Sequence, residues 1–155
     1  MSLLQKHTPN DAELVNILKL IKRSFAYMED RINPPSSIHQ LNLERIQGHC
    51  LQGEVWSLGA PAYACMFLTI KNDALYVGRI AVDQKHRKKG LARMLLLHAE
   101  ARAKYYSKPQ LELETRIELI ENRHIFQKLG FVKVAHGTHN GFSRPTYLIM
   151  RKTIE

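Results

Sequence analysis

The sequence predicts an α+β fold: a mixed, mostly antiparallel sheet of about seven strands with helices on both faces. Three observations lead there. Alternating, β-rich runs at 54–58 and 62–69 flank Gly59-Ala60-Pro61, the pattern of a hairpin with a short loop. Leu75–Val82 then runs through a basic turn into an Ala- and Leu-rich stretch that can only be helix. After Pro109 a strand, a short helix and Leu129-Gly130-Phe131 repeat the strand–helix–strand order.

In chain order, residues 3–7 are read as a short first strand. Thr8-Pro9-Asn10-Asp11 has the composition of a helix start, with Thr8 as N-cap, Pro9 at the first helical position and Asp11 reaching back. Leu14, Ile17, Leu18, Ile21, Phe25 and Met28 follow at helical spacing, so one stripe should face the core. Asn33-Pro34-Pro35-Ser36-Ser37 forces an extended connection, because each proline restricts its own φ and the residue before it. A second, weaker helix is expected over 38–51. Lys71-Asn72-Asp73 turns the chain into the Leu75 strand, where Gly78 marks a point suited to a bulge.

The long helix, expected over 91–103, has Leu91, Leu95, Ala99 and Ala103 along one line and Arg93, Glu100 and Lys104 along the opposite one. It should lie on the sheet with one face wet, His98 sitting at the core edge. A strand at 111–115, a helix at 121–129, a strand at 131–136 and a last strand at 146–153 complete the order.

The 155 residues suit one domain, 1–155, able to bury roughly two-thirds of the surface its unfolded form exposes. Cys50 and Cys65 form no metal-ligand pattern and read as free thiols of a reducing compartment. With no apolar stretch near the ~20 residues a span requires, a soluble, cytoplasmic protein without membrane partners is expected. The net charge of +9 needs an anionic partner. No zinc-finger spacing, RNA-binding aromatic signature or basic heptad accompanies it, which disfavours nucleic acid.

The densest charge is Lys85, His86, Arg87, Lys88 and Lys89, immediately before Gly90 and the helix. The first N–H groups of a helix lack intrahelical partners and the macrodipole adds positive potential there, so the junction reads as a phosphate site. Neither G-x-x-x-x-G-K-S/T nor a strand-linked G-x-G-x-x-G occurs.

What stands there instead, Arg87-Lys88-Lys89-Gly90-Leu91-Ala92, resembles the R-x-x-G-x-A pyrophosphate motif of the GNAT superfamily of acyl-CoA N-acyltransferases. With the downstream strand, helix and Leu129-Gly130-Phe131, the resemblance covers about residues 54–135. It implies a central parallel strand pair splayed to hold coenzyme A, acetyl-CoA as co-substrate, no metal, and an acetyl transfer to an amine without a covalent enzyme intermediate. By resemblance, Ile80, Ala81 and Val82 offer backbone to the pantetheine arm, and an N–H near Ile80 polarises the thioester. Arg87, Lys88, Lys89, Gly90, Leu91 and Ala92 hold the pyrophosphate, mainly through N–H groups. Asn122 is a coenzyme contact at a variant position. Phe126 stands where the family commonly has the tyrosine that protonates the leaving thiolate. The acceptor pocket is placed near 27–37, with Tyr27 and Arg31 as substrate contacts.

An amine with a pKa of about 10.4 is neutral about once in a thousand near pH 7, so a base is expected. Aligned on R-x-x-G-x-A, Tyr76 occupies the position of a glutamate in some members and is the first acid/base candidate; Glu114 is the second. A small-molecule amine is the expected acceptor, with a protein amine and a homodimer left open. The rivals are a non-catalytic acyl-CoA-binding module of the same fold, which Phe126 permits, and a nucleic-acid binder using residues 85–89.

Overall fold

Residues 54–82 build the centre of the fold in the computed structural model, which describes residues 3–155. Strands β2 (Glu54–Leu58), β3 (Ala64–Ile70) and β4 (Leu75–Val82) follow one another as antiparallel neighbours. With β1 (Gln5–Lys6), β5 (Gln110–Arg116), β6 (Val132–Gly137) and β7 (Tyr147–Thr153) they form a seven-stranded sheet ordered β1-β2-β3-β4-β5-β7-β6. Among the described residues the single parallel contact is β4 with β5, and every other pair is antiparallel. The α+β class and the predicted sheet are therefore observed.

Successive side chains of a strand point to opposite faces, and β3 uses both. Met66 and Leu68 pack with Leu95, Leu96, Ala99 and Ala103 of α3 (Leu91–Tyr105), the face the sequence assigned to the core. Cys65 and Phe67 turn to the opposite face, against Leu14, Ile17 and Ile21 of α1 (Leu14–Phe25) and Ile46 of α2 (Leu43–Gln52). Each fully buried Leu or Ile contributes about 1.5–3 kcal/mol, so the two layers hold the sheet from both sides. The fourth helix, α4 (Ile120–Lys128), follows β5. Helices α1 and α2 pack on β2, β3 and β4, and the buried apolar cluster beneath them includes no residue of β5.

Three expectations are corrected. The N-terminal strand is limited to Gln5–Lys6. Thr8 and Asp11 do meet, with the Thr8 N–H 3.0 Å from Asp11 Oδ2 and the Asp11 N–H 3.1 Å from the Thr8 carbonyl, but they close a separate turn. Asp11 is also held by His7 Nδ1 at 3.0 Å, so its carboxylate fixes the chain ahead of the helix, which starts at Leu14. The helix expected over 38–51 is two pieces, a 3-10 turn at Ser37–Gln40 and then α2. Asn42 is the cause: in extended conformation its side chain accepts from the Arg45 N–H at 2.9 Å, starting a new helix.

A buried polar anchor ties α3 to the sheet. The Glu54 carboxylate, 1% exposed, receives Arg102 at 2.9 and 2.5 Å, the Tyr106 hydroxyl at 2.5 Å and the Trp56 N–H at 2.9 Å. Among the described residues no helix is long and apolar enough to cross a membrane.

Candidate active site

Strand β4 is irregular where the sequence placed its weak point. Cys65 faces Ala81 and Phe67 faces Gly78, so Arg79 and Ile80 together stand opposite Met66 alone. This is a bulge, and it puts Arg79 at φ +48, a conformation uncommon for a residue with a side chain. Gly78 has a second role: a Cβ there would lie 3.1 Å from Cε1 of Tyr76, whose ring leans along the strand over it.

Strands β4 and β5 pair only at Leu75–Leu111 and Tyr76–Glu112. Past that rung they diverge, and the gap is the floor of a cleft of about 1650 Å³. Ile80, Ala81 and Val82 line it from β4, and Asn122 and Phe126 from α4. Ala81 is buried against α1 and α2, so what it offers the cleft is backbone. Phe126 packs edge-on against Phe131 with centroids 6.0 Å apart.

At one end the cleft reaches the start of α3. Lys88 at φ +65 and Gly90 at φ +75 curl the turn. The first intrahelical bond runs from the Met94 N–H to the Gly90 carbonyl, and no side chain caps the helix. The N–H groups of Leu91, Ala92 and Arg93 thus have no helical acceptor, which is the donor set a pyrophosphate needs. A Cβ at Gly90 would meet nothing within 4 Å, so the space beside it is open. Arg87, Lys88, Gly90, Leu91 and Ala92 line the cleft; Lys89 does not. His86, a member of the basic run, and Arg93, given no role from sequence, do. Arg87 Nε donates to the Val82 carbonyl at 3.3 Å, joining the turn to the end of β4.

At the other end stand Tyr76, Arg79, Glu114 and Arg116. Glu114 is exposed on the cleft wall and has no hydrogen bond or ion pair among the described residues; partial desolvation by the atoms around it, with Glu112 adding to it, outweighs the opposing pull of Lys71 and Arg116 and pushes its carboxyl above the usual range. Burial, with Glu114 and Glu112 adding to it, drives the Tyr76 phenol well above its ordinary value, so it stays protonated at neutral pH. Lys71 Nζ lies 4.4 Å above the Tyr76 ring. Glu112 does not face solvent: it is 4% exposed and bound by Lys71 at 2.7 Å and Arg151 at 2.9 Å. Burial alone would raise its carboxyl, but these two cations outweigh it and lower it.

Of the two predicted acceptor contacts, Tyr27 lines the cleft and Arg31 does not. Arg31 instead holds Glu121 of α4 through two bonds of 2.8 and 2.9 Å. Around it, the Asn33 N–H reaches Glu118 at 3.1 Å, and Arg116 donates to the Pro34 and Pro35 carbonyls at 2.5 and 3.1 Å. The proline segment is thereby strapped across the end of β5, roofing the acceptor end.

His49 of α2 also lines the cleft. Its Nε2 lies 3.0 Å from the Leu68 carbonyl, which can only accept, so that nitrogen carries the proton and Nδ1 is left as the acceptor. Burial, with Arg79 nearby, lowers its pKa, keeping the ring neutral. Nothing in the sequence around His49 distinguishes it; only packing on Phe67, at 5.0 Å between centroids, brings it here. Arg79 did carry a signal, as a lone charge inside an apolar strand.

A Ser–His–Asp chain exists away from the cleft, which sequence reading did not foresee: His7 Nε2 is 2.6 Å from Ser57 Oγ, and His7 Nδ1 contacts Asp11. Ser57 is 1% exposed, so it is a structural bond and not a nucleophile. Among the described residues no group of three or more metal-ligating side chains comes together.

Residues 52–133 match the model of a family described as "Acetyltransferase (GNAT) domain". No curated protein matches the sequence. Among solved structures, the chain is similar to an acetyltransferase from Streptococcus agalactiae 2603 (TM-score 0.75, 14% identity, covering 99% of this chain and 98% of that one). It is similar to a GNAT-family acetyltransferase from Staphylococcus aureus Mu50 (TM-score 0.73, 15% identity, 99% and 100% covered). A third is a GNAT-family acetyltransferase from Elizabethkingia anophelis with acetyl-CoA bound (TM-score 0.69, 16% identity, 99% and 98% covered). At these identities the structures speak for the fold.

Proposed function

This chain belongs to the GNAT acetyltransferase family and is an acetyl-CoA-dependent acyltransferase; on that premise we propose that it acetylates the amine of a small molecule by direct transfer. The observation that carries this reading is the parting of β4 and β5 after Tyr76–Glu112, beside the uncapped start of α3. The residues present fit coenzyme A: open N–H donors and Arg87, Lys88 and Arg93 for the phosphates, and the free edge of β4 at 80–82 for the pantetheine arm. The acetyl-CoA bound in the Elizabethkingia relative supports the same assignment.

In this reading the amine nitrogen attacks the thioester carbonyl, the C–N bond forms, the C–S bond breaks, and coenzyme A leaves as a thiolate. Glu114 takes the amine proton: its raised carboxyl is a better base than an ordinary one, and among the described residues no cation is in direct contact with it, Lys71 and Arg116 acting only from a distance. Tyr76, held protonated, serves as a hydrogen-bond donor rather than as the base. The bulge leaves Ile80 without a register partner of its own on β3, and its N–H is the donor assigned to the oxyanion in this reading. A thiol of pKa about 8.5 can depart near neutral pH with water to receive it, so Phe126 needs no hydroxyl. The cysteines support direct transfer, since neither Cys50 nor Cys65 lines the cleft. Burial pushes the Cys65 thiol up to about 12 and raises that of Cys50, which removes both as nucleophiles.

The test is acetyl-CoA-dependent thiol release with a panel of amines, with the acetylated product identified by mass spectrometry. Release that tracks amine concentration supports the reading. Tight acetyl-CoA binding without release from any amine would favour a binding module, the alternative that Phe126 keeps open.

A further inference from the structure

We propose that the acceptor is a compact amino acid, an amine that also bears a carboxylate, and that Arg79 with Ser37 receives that carboxylate. The inference rests on the acetyltransferase reading above and adds the substrate class.

Arg79 occupies a costly place. A side chain at φ +48 is strained, and strain of this kind is characteristically kept where a site requires it. The guanidinium has five N–H donors, yet its one side-chain bond among the described residues is to Ser37 Oγ at 2.9 Å, and no carboxylate pairs with it. Burial lowers its pKa, the mark of a cation short of compensation. The aromatic groups facing it, Tyr76 and His49, are neutral at physiological pH.

The surrounding charge agrees. Arg45 and Arg116 line the same end of the cleft, and Arg116 spends its bonds on backbone carbonyls. Among the described residues the one unpaired carboxylate lining this cleft is Glu114, since Arg31 holds Glu121 and Lys71 and Arg151 hold Glu112. A chamber with this balance attracts anions and repels diamines. Ser37, accepting from Arg79, keeps its hydroxyl proton for a second oxygen, so a carboxylate would find both a charged and a neutral donor.

Chain position turns this into chemistry. Arg79 immediately precedes Ile80, whose N–H faces the thioester carbonyl in the reading above. A carboxylate seated on Arg79 leaves an amine one or two carbons away close to the acetyl carbon, with Glu114 on the neighbouring strand to take its proton. The nitrogen gains the acetyl group as an amide and coenzyme A departs as the thiolate.

The experiment compares thiol release from acetyl-CoA with matched pairs, each an α- or β-amino acid and the same amine lacking the carboxylate. The amino acid should have the higher kcat/KM by on the order of 10- to 100-fold, the range for a hydrogen-bonded charge. Arg79→Asn, which tolerates the same backbone conformation, should abolish that preference mainly through KM, with acetyl-CoA binding by calorimetry intact. Arg79→Lys should restore part of it. Equal turnover of both pair members, preference for diamines, or a preference that survives Arg79→Asn overturns this inference and leaves the acetyltransferase reading standing. No release from any amine, with acetyl-CoA bound, overturns both.

Discussion

Tyr76 and Glu112 form the last paired rung between β4 and β5, and beyond them the strands separate. Glu112 is clamped by Lys71 and Arg151, while Tyr76 lies over Gly78 under the Lys71 ammonium, so the point of separation is fixed from both strands. Gly78→Ala would set a Cβ 3.1 Å from the Tyr76 ring and rotate it. The expected result is lower kcat with unchanged acetyl-CoA affinity, read by steady-state kinetics beside calorimetry.

Gly90 holds φ +75 with open space at its missing Cβ. Gly90→Val therefore meets no neighbour but forces a β-branched residue into the left-handed region, at about 1–2 kcal/mol, and re-aims the donors of the turn. Acetyl-CoA affinity should fall at least tenfold by calorimetry. Lys89→Gln, outside the cleft, should change affinity little, and chiefly through its salt dependence.

Partial desolvation at the cleft wall, with Glu112, raises the Glu114 carboxyl above the usual carboxylate range against the opposing pull of Lys71 and Arg116. Base catalysis needs it ionised, so kcat/KM should fall as pH drops through that raised value. Glu114→Gln should lower turnover roughly 10²-fold and remove the acidic limb of the profile. An unaltered profile would pass the base to His49, which His49→Gln would reveal.

Burial would raise the Glu54 carboxyl, but the bonds from Arg102, Tyr106 and Trp56 prevail and hold it at about 2, below its ordinary 4.5. A depressed folded-state pKa stabilises above the unfolded value and loses its effect as pH falls from there through the folded one. About 3 kcal/mol should disappear over that window. Urea melts across it should show the loss, and Glu54→Gln should be less stable at neutral pH with a flatter acid dependence.

The strands and α3 were legible because their signals are local: alternation at 54–58, a β-branched run at 75–82, and a basic turn before an Ala/Leu helix. Gly78 foretold the bulge for the same reason. The phosphate turn depends on backbone that Gly90 itself dictates, so sequence located it too. Side-chain pairing across the fold was not legible. Arg31 reads as a free contact until Glu121, 90 residues away, comes into reach, and nothing local to Glu112 foretells that Lys71 and Arg151 close over it. His49 joins the cleft only through its seat on Phe67. The break at Asn42 could have been read, since an Asn before a helix competes for its first N–H groups.

The measurement closest to the central claim is the structure of the complex with acetyl-CoA. The pyrophosphate should lie against the N–H groups of Leu91, Ala92 and Arg93, the pantetheine arm along residues 80–82, and the thioester carbonyl toward the Ile80 N–H, with its methyl facing Glu114 and Arg79. Acetyl-CoA bound outside the gap between β4 and β5, or with its phosphates away from the start of α3, would contradict the account.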